Sequence, residues 1–326
     1  MELKSYRKLL KEITEGYSSY FIEEELRFIK HQSTADLVDF DDVYQMYFDR
    51  ALAKGLPTEE EIFENLKAEG FWTEKDDAEL DSQTFYLESL VKNKKNIYLK
   101  SALDQVNIQI KEAQEKLAEL VHKKTSLVTN SCEMYASNRA NDFYIVNSFY
   151  KDKELTDPLF TQEEYEYMDA SEASKLIRMY NEFHNRFSEE NIQKLTLQGF
   201  YRIYYAFSET ANDFFGDPIL YLTNFQLNLI MYTRIFKNIF DQYDDIPERI
   251  MDDPAALLDF ANSADAREEM KKKFAGDNAA STIVGATKED MEELGISPSQ
   301  GTSLAEAAKK KGGSLDMKDL MDLSGV

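Results

Sequence analysis

Leu99, Leu103, Val106, Ile110, Ala113, Leu117, Leu120, Lys124 and Leu127 follow one another by alternate steps of four and three, and only Lys124 among them is polar. A spacing of about 3.5 residues, held this long, predicts one long α-helix with a single apolar seam. Such a seam needs a cover. An earlier helix is predicted from about Thr73 to Val91, and the polar stretch Lys92–Asn96 turns the chain between the two. The pair reads as a helical hairpin of the coiled-coil kind, with the seam helix running from about 97 toward Tyr150. Pairing of the seam with a second copy of the chain is the alternative.

Helical spacing also marks the flanking regions. Residues 1–70 read as helices: Leu3, Tyr6, Leu10, Ile13 and Tyr17 form one stripe, and Phe40, Val43, Tyr47 and Ala51 another. Thr58 followed by Glu61 is a capping box, and Gly70 suits the left-handed position that ends a helix. Trp72, the single tryptophan, lies just before Thr73 and reads as an apolar staple at a helix start rather than as a binding residue. Thr161 and Glu164 form a second capping box, followed by a stripe of Leu176, Met179, Tyr180, Phe183 and Phe187.

Residues 199–243 are dense in aromatics. Leu222, Phe225, Leu229, Tyr232, Phe236, Ile239 and Tyr243 repeat the three-four step, while Ile230, Met231, Ile235 and Phe240 add apolar side chains on other faces. A helix that is apolar on several faces is buried, or is covered by something else. This block therefore reads first as core and second as a groove for an apolar helix of a partner. The run 200–207 is expected to be helical from the spacing of Phe200, Tyr204 and Phe207, and 216–218 to be a turn.

Beyond about Asn262 the composition shifts to Ala, Lys, Gly, Ser and Asp. Apolar residues there are too sparse to offset the entropy of ordering the chain, so a flexible tail is expected. The expected class is all-α, divided into an N-terminal helical region (1–70), a hairpin (71–150), an aromatic-rich helical domain (151–261) and the tail (262–326).

Charge narrows the choice of partner. The chain carries 61 acidic and 38 basic side chains, a formal charge of −23. That field opposes nucleic acid and anionic lipid, so neither is an expected partner. No stretch reaches the ~18 apolar residues that span a bilayer. Cys132, the single cysteine, cannot form an internal disulfide and reads as a small buried side chain. A soluble, cytoplasmic protein is the expectation.

Reactive chemistry is sparse. Glu119 and His122 have the spacing of half a di-iron ligand set, but neither His31 nor His184 has a Glu three residues before it. Asp241, Asp244 and Asp245 lack the alternating order of a calcium loop. Glycine-rich phosphate loops and nucleophile elbows are absent from the sequence. No catalytic residue, metal site or cofactor is expected. The candidate partner-binding residues are Phe225, Leu229, Tyr232 and Phe236 of the aromatic block, with Leu103, Val106, Ile110 and Leu117 of the seam.

Gly55–Glu61, Phe71–Glu74, Lys124–Asn130, Leu222–Gln226, Gly285–Asp290 and Ser303–Glu306, taken in order, resemble proteins of the structural gene clusters of tailed bacteriophages. The contractile-tailed phages of marine bacteria are the particular likeness. The motifs are caps, turns and packing residues, so the resemblance carries over no catalytic residue. It implies a non-catalytic protein of virion morphogenesis acting in the host cytoplasm or within the virion. A tail assembly chaperone or adaptor that binds a helical structural protein, such as the tape measure protein, is the first expectation. A neck, connector or baseplate component that oligomerises through its coiled coil is the second.

Overall fold

The structure is a computed structural model that describes residues 3–22, 24–97 and 99–264, and Glu268. It is all-α, with twelve α-helices and one three-stranded sheet among the described residues. The chain divides into two compact units. The first joins Met1–Thr73 to Lys123–Leu258, and the second contains Glu74–His122 and the chain from Asp259 onward. The divisions expected at 70, 150 and 261 differ from this, because residues 74–122 interrupt the first unit along the chain. The flexible tail expected over 262–326 lies outside the described residues except for 262–264 and Glu268; Asn262 ends α12 (Pro254–Asn262) and Ser263 is buried.

In the first unit, α1 (Leu3–Glu15) ends at Gly16, whose φ of +73° suits a residue without a β-carbon. β1 (Tyr17–Ile22) and β2 (Glu25–Lys30) follow as an antiparallel hairpin in which Ile22 pairs with Glu25 and Tyr17 with Lys30. The helical reading of residues 1–70 is thus corrected over this stretch. Tyr17 belongs to a strand, and the β-favouring Tyr, Phe and Ile side chains here pack on a sheet instead of a helix face. β3 (Phe149–Tyr150) completes the sheet on the other edge of β2, with Phe28 opposite Tyr150 and Ile29 opposite Phe149.

Two helical layers flank the sheet. α2 (Phe40–Ala53) packs along α6 (Cys132–Val146), and α6 packs on α8 (Ala170–His184). Cys132, Ala136 and Ala140 repeat every fourth residue on α6 and are fully buried, as is Ala51 on α2. Small side chains at these positions bring the two helices close. Ala136 and Ala140 form one core with Tyr20, Ile29, Tyr47, Val146, Phe149, Tyr165 and Leu176. A second layer packs α1, α9 (Glu189–Thr196) and α11 (Asn224–Gln242), burying Leu9, Ile13, Ile192, Leu195, Leu229 and Phe236.

The sequence-level caps appear where they were expected. Thr58 accepts from the backbone N–H of Glu61 at the start of α3 (Glu59–Glu69), and Gly70 ends it at a φ of +78°. Thr161 and Glu164 cap α7 (Gln162–Tyr167) in the same way. Trp72 is fully buried against Phe63, with the ammonium groups of Lys123 and Lys124 over its ring at 5.3 and 5.6 Å. Residues 202–207 form a 3-10 helix (Arg202–Phe207) instead of the expected α-helix.

The second unit contains α4 (Glu74–Lys94) and α5 (Lys100–Leu127), which run antiparallel. The Gln83 side-chain amide donates to the Ala113 carbonyl at 3.2 Å, and Lys116 lies 3.3 Å from Glu79. The heptad seam is visible in the burial of α5. Leu103, Val106, Ile110, Leu117 and Leu120 are half-buried and Ala113 is buried, whereas the positions facing away are exposed. The seam helix does not reach Tyr150: it stops at Leu127, and Ser131 caps the separate helix α6 by accepting from Met134 N–H at 3.0 Å.

Candidate functional site

Helix α11 presents two different faces. Its start is fixed by a capping box in which Thr223 accepts from Gln226 N–H and the Gln226 side chain accepts from Thr223 N–H. The inward face carries Leu229, Thr233, Phe236 and Ile239, all buried, and the Tyr201 hydroxyl lies 2.8 Å from Thr233 Oγ1. The other face carries Leu227, Met231, Arg234, Ile235 and Asn238, with the buried Ile230 beneath them, at steps of three, one, three, one and three when Ile230 is included. Those six residues form one wall and the floor of a groove of about 520 Å³ that is open to solvent.

The opposite wall is built from residues 209–212 and Ile219. Thr210 caps the short α10 (Ala211–Phe215) by accepting from Asp213 N–H. Gly216, at a φ of +84°, then turns the chain before Pro218 and a 3-10 turn, Ile219–Tyr221. Neighbouring side chains on these segments are unusually open: Ile203, Phe207, Ile219, Leu220 and Tyr221 are 48–69% exposed. Ile203 and Phe207 belong to the preceding 3-10 helix, and Ile219, Leu220 and Tyr221 are consecutive; exposed apolar side chains that gather into a patch mark interaction surfaces. The volume falls within the range of about 300–1,000 Å³ that ligand-sized clefts occupy.

The predicted partner-binding residues of the aromatic block lie elsewhere. Leu229, Tyr232 and Phe236 are buried in the core, and Phe225 is stacked on Phe187 at 4.6 Å with both His31 and His184 at its edge. They are corrected to packing residues: the stripe that made α11 legible as a helix is the face it buries. The residues that line the groove were visible only as the extra apolar side chains on other faces, Ile230, Met231 and Ile235 among them. Of the seam, Leu103, Val106, Ile110 and Leu117 occupy the half-buried face of α5, the face on which Ala113 meets Gln83.

A second arrangement, a buried polar cluster, had no linear signal. Glu12 on α1, Ser18 on β1, His31 after β2 and Arg186 after α8 come together beneath Phe187 and Phe225. Ser18 Oγ is 2.9 Å from His31 Nε2 and donates to Glu12 Oε2 at 3.3 Å, while Arg186 Nη2 is 3.3 Å from the same carboxylate oxygen. With one proton on Ser18, this order requires Nε2–H of His31 to donate to Ser18, which leaves Nδ1 as a bare lone pair. That Nδ1 atom, Glu12 Oε1 and Arg186 Nε are buried without a hydrogen-bond partner among the described residues. Burial, and then the nearby His184 and Arg186, push His31 down to about 3; burial also holds His184 below its ordinary value.

The cluster has the residue types of a nucleophile–base set but a different connectivity. In a serine–histidine–carboxylate triad the imidazole bridges hydroxyl and acid. Here the hydroxyl bridges imidazole and acid, and Ser18 is fully buried. The void beside it holds about 10 Å³, the space of one water, and is walled by Tyr180, Phe183, His184, Phe187 and Phe225. What the arrangement does is tie four parts of the chain together near the end of α1: α1 itself, β1, the residue after β2 and the turn after α8.

Among the described residues no group of three or more His, Cys, Asp or Glu side chains is placed to hold a metal ion, and no helix is long and apolar enough to cross a membrane. Comparison of the chain with protein-family models, with curated proteins and with solved structures found no match.

Proposed function

We propose that this chain is a non-catalytic binding protein of phage virion assembly, a tail assembly chaperone or adaptor that holds an amphipathic helix of a structural protein in the α11 groove. The observation that carries the binding role is the groove itself: Leu227, Met231 and Ile235 over the buried Ile230 form an apolar floor, faced by the exposed Ile219, which exposed Leu220 and Tyr221 follow in the chain. A helix entering it would lay its apolar stripe along α11, as in helix-in-groove recognition. The assignment to virion assembly rests on the resemblance of the cap and turn motifs. The strong negative charge would keep an apolar client and its holder in solution, which suits a protein working in the host cytoplasm and directed neither at nucleic acid nor at membrane.

Co-expression with the tape measure protein of the same gene cluster tests this. The client should stay soluble and co-purify with the full chain, and should be lost with the double variant Leu227→Asp/Met231→Asp. An insoluble client that never co-purifies would reject the chaperone role.

A second reading has its own support. The α4–α5 pair leaves Phe85, Tyr86, Val91, Ile108 and Val121 exposed, as expected of a hairpin that meets further copies in a neck, connector or baseplate. Mass spectrometry of purified virions separates the two: stoichiometric presence favours the structural component, and absence favours the chaperone.

A further inference from the structure

We infer that the groove selects its occupant by charge: the segment it takes is a basic amphipathic helix of a partner protein, with lysines or arginines flanking the apolar stripe. This rests on the groove being a docking site for a helix and adds the chemistry of what enters. The wall opposite α11 bears Glu209, and the same segment carries Asp213 and Asp217 at successive steps of four, all three exposed. One turn beyond Asn238, α11 carries Asp241, paired with Lys237, and ends at Gln242, after which the exposed Asp244 follows. The carbonyl end of the helix adds its own partial negative charge there.

Cations are scarce in the same place. Arg234 is the one cation among the described lining residues, and Lys237, a turn away, is taken by Asp241 at 2.5 Å. An acidic helix lying in the groove would bring like charges well within the Debye length of about 8 Å. A basic helix converts that repulsion into steering and attraction. Direction follows from the same field. An occupant antiparallel to α11 puts its positive N-terminal end against the carbonyl end of α11 and Asp244, and the reverse orientation puts carbonyl against carbonyl. Arg234, near the middle of the floor, marks the place where such a helix carries a single acid of its own.

The test uses the full chain and two labelled helical peptides that share one leucine stripe at three-four spacing, one flanked by lysines and the other by glutamates. Fluorescence anisotropy should show the lysine peptide binding at least about tenfold more tightly at low salt, with the preference shrinking as salt rises. Glu209→Lys/Asp217→Lys should remove the preference at unchanged melting temperature, and Leu227→Asp/Met231→Asp should abolish binding of both peptides. If neither peptide binds, the docking reading itself fails. Equal binding, or a preference for the glutamate peptide, leaves the groove as a docking site and overturns charge selection. A preference that survives Glu209→Lys/Asp217→Lys overturns the assignment to this wall. Binding that survives Leu227→Asp/Met231→Asp places the peptide outside the groove and overturns the inference.

Discussion

Ser18 Oγ lies 2.9 Å from Nε2 of His31, and the serine proton goes to Glu12 rather than to the imidazole. The relay runs from ring to hydroxyl to carboxylate, and its cost is borne at the other ring nitrogen, which is buried with a bare lone pair. A neutral His31 is therefore built into the fold, in edge-type contact with both rings of the stacked Phe187–Phe225 pair.

Acid should weaken the protein through this residue. His31 is held down to about 3 in the folded chain, against about 6.5 when unfolded. Between those values the unfolded chain binds a proton that the native chain refuses. The contribution is whole above about pH 6.5 and is lost as the pH falls toward 3, with a slope approaching about 1.4 kcal/mol per pH unit. Around the ring, Arg186 opposes protonation, Glu12 on α1 favours it through Ser18, and Lys30 and His184 line the adjoining void. Urea midpoints measured from pH 7.5 to 4.5 should fall more steeply for the wild type than for His31→Gln, whose amide can still donate to Ser18. Equal slopes would place the acid sensitivity elsewhere.

Trp72 should behave as a core residue. It is fully buried against Phe63 and under two lysine ammonium groups. Its emission should be blue-shifted and insensitive to iodide in the native protein. Trp72→Ala should cost about 3–5 kcal/mol by chemical unfolding. A red-shifted, readily quenched native spectrum would put the ring at the surface.

Cys132 should be inert in the native state. It is fully buried, its thiol donates to the Leu56 carbonyl at 3.1 Å, and burial raises it above the ordinary thiol value. A thiol reagent should react only as the chain unfolds, at the rate of opening. Prompt stoichiometric labelling at neutral pH would contradict this.

On the hairpin, Ile110→Asp should expose the amides of α4 and α5 to hydrogen exchange, at a cost of about 1–3 kcal/mol for an unpaired charge on a half-covered seam. Unchanged exchange would mean that the seam position is not covered.

Local signals in the sequence proved the most readable. Thr58 with Glu61, Thr161 with Glu164 and Gly70 act through their own neighbours, so their roles need no knowledge of the fold. The heptad seam likewise foretold which face of α5 is sheltered. The strands Tyr17–Ile22 and Glu25–Lys30 were hidden because Tyr17 continues a helical spacing by coincidence. Gly16 breaks it, and β2 then finds Phe149 and Tyr150, a partner remote along the chain. The break after Leu127 was missed because apolar residues continue into Val128 and beyond. On α11 the strongest stripe pointed to the core rather than to the groove, since periodicity reports which face is most apolar and not which face is left open. Glu12, Ser18, His31 and Arg186 are scattered in sequence, and only the fold assembles them.

The short strand Phe149–Tyr150 has a consequence for biosynthesis. Emerging from the ribosome, the hairpin of β1 and β2 has its β2 edge bare until Tyr150 is made, and Leu9 and Ile13 of α1 wait longer still for α9 and α11. The nascent polypeptide therefore shows greasy surface for most of its translation. A product terminated before α11 should be cleared by cellular proteases, so this molecule arrives whole or not at all.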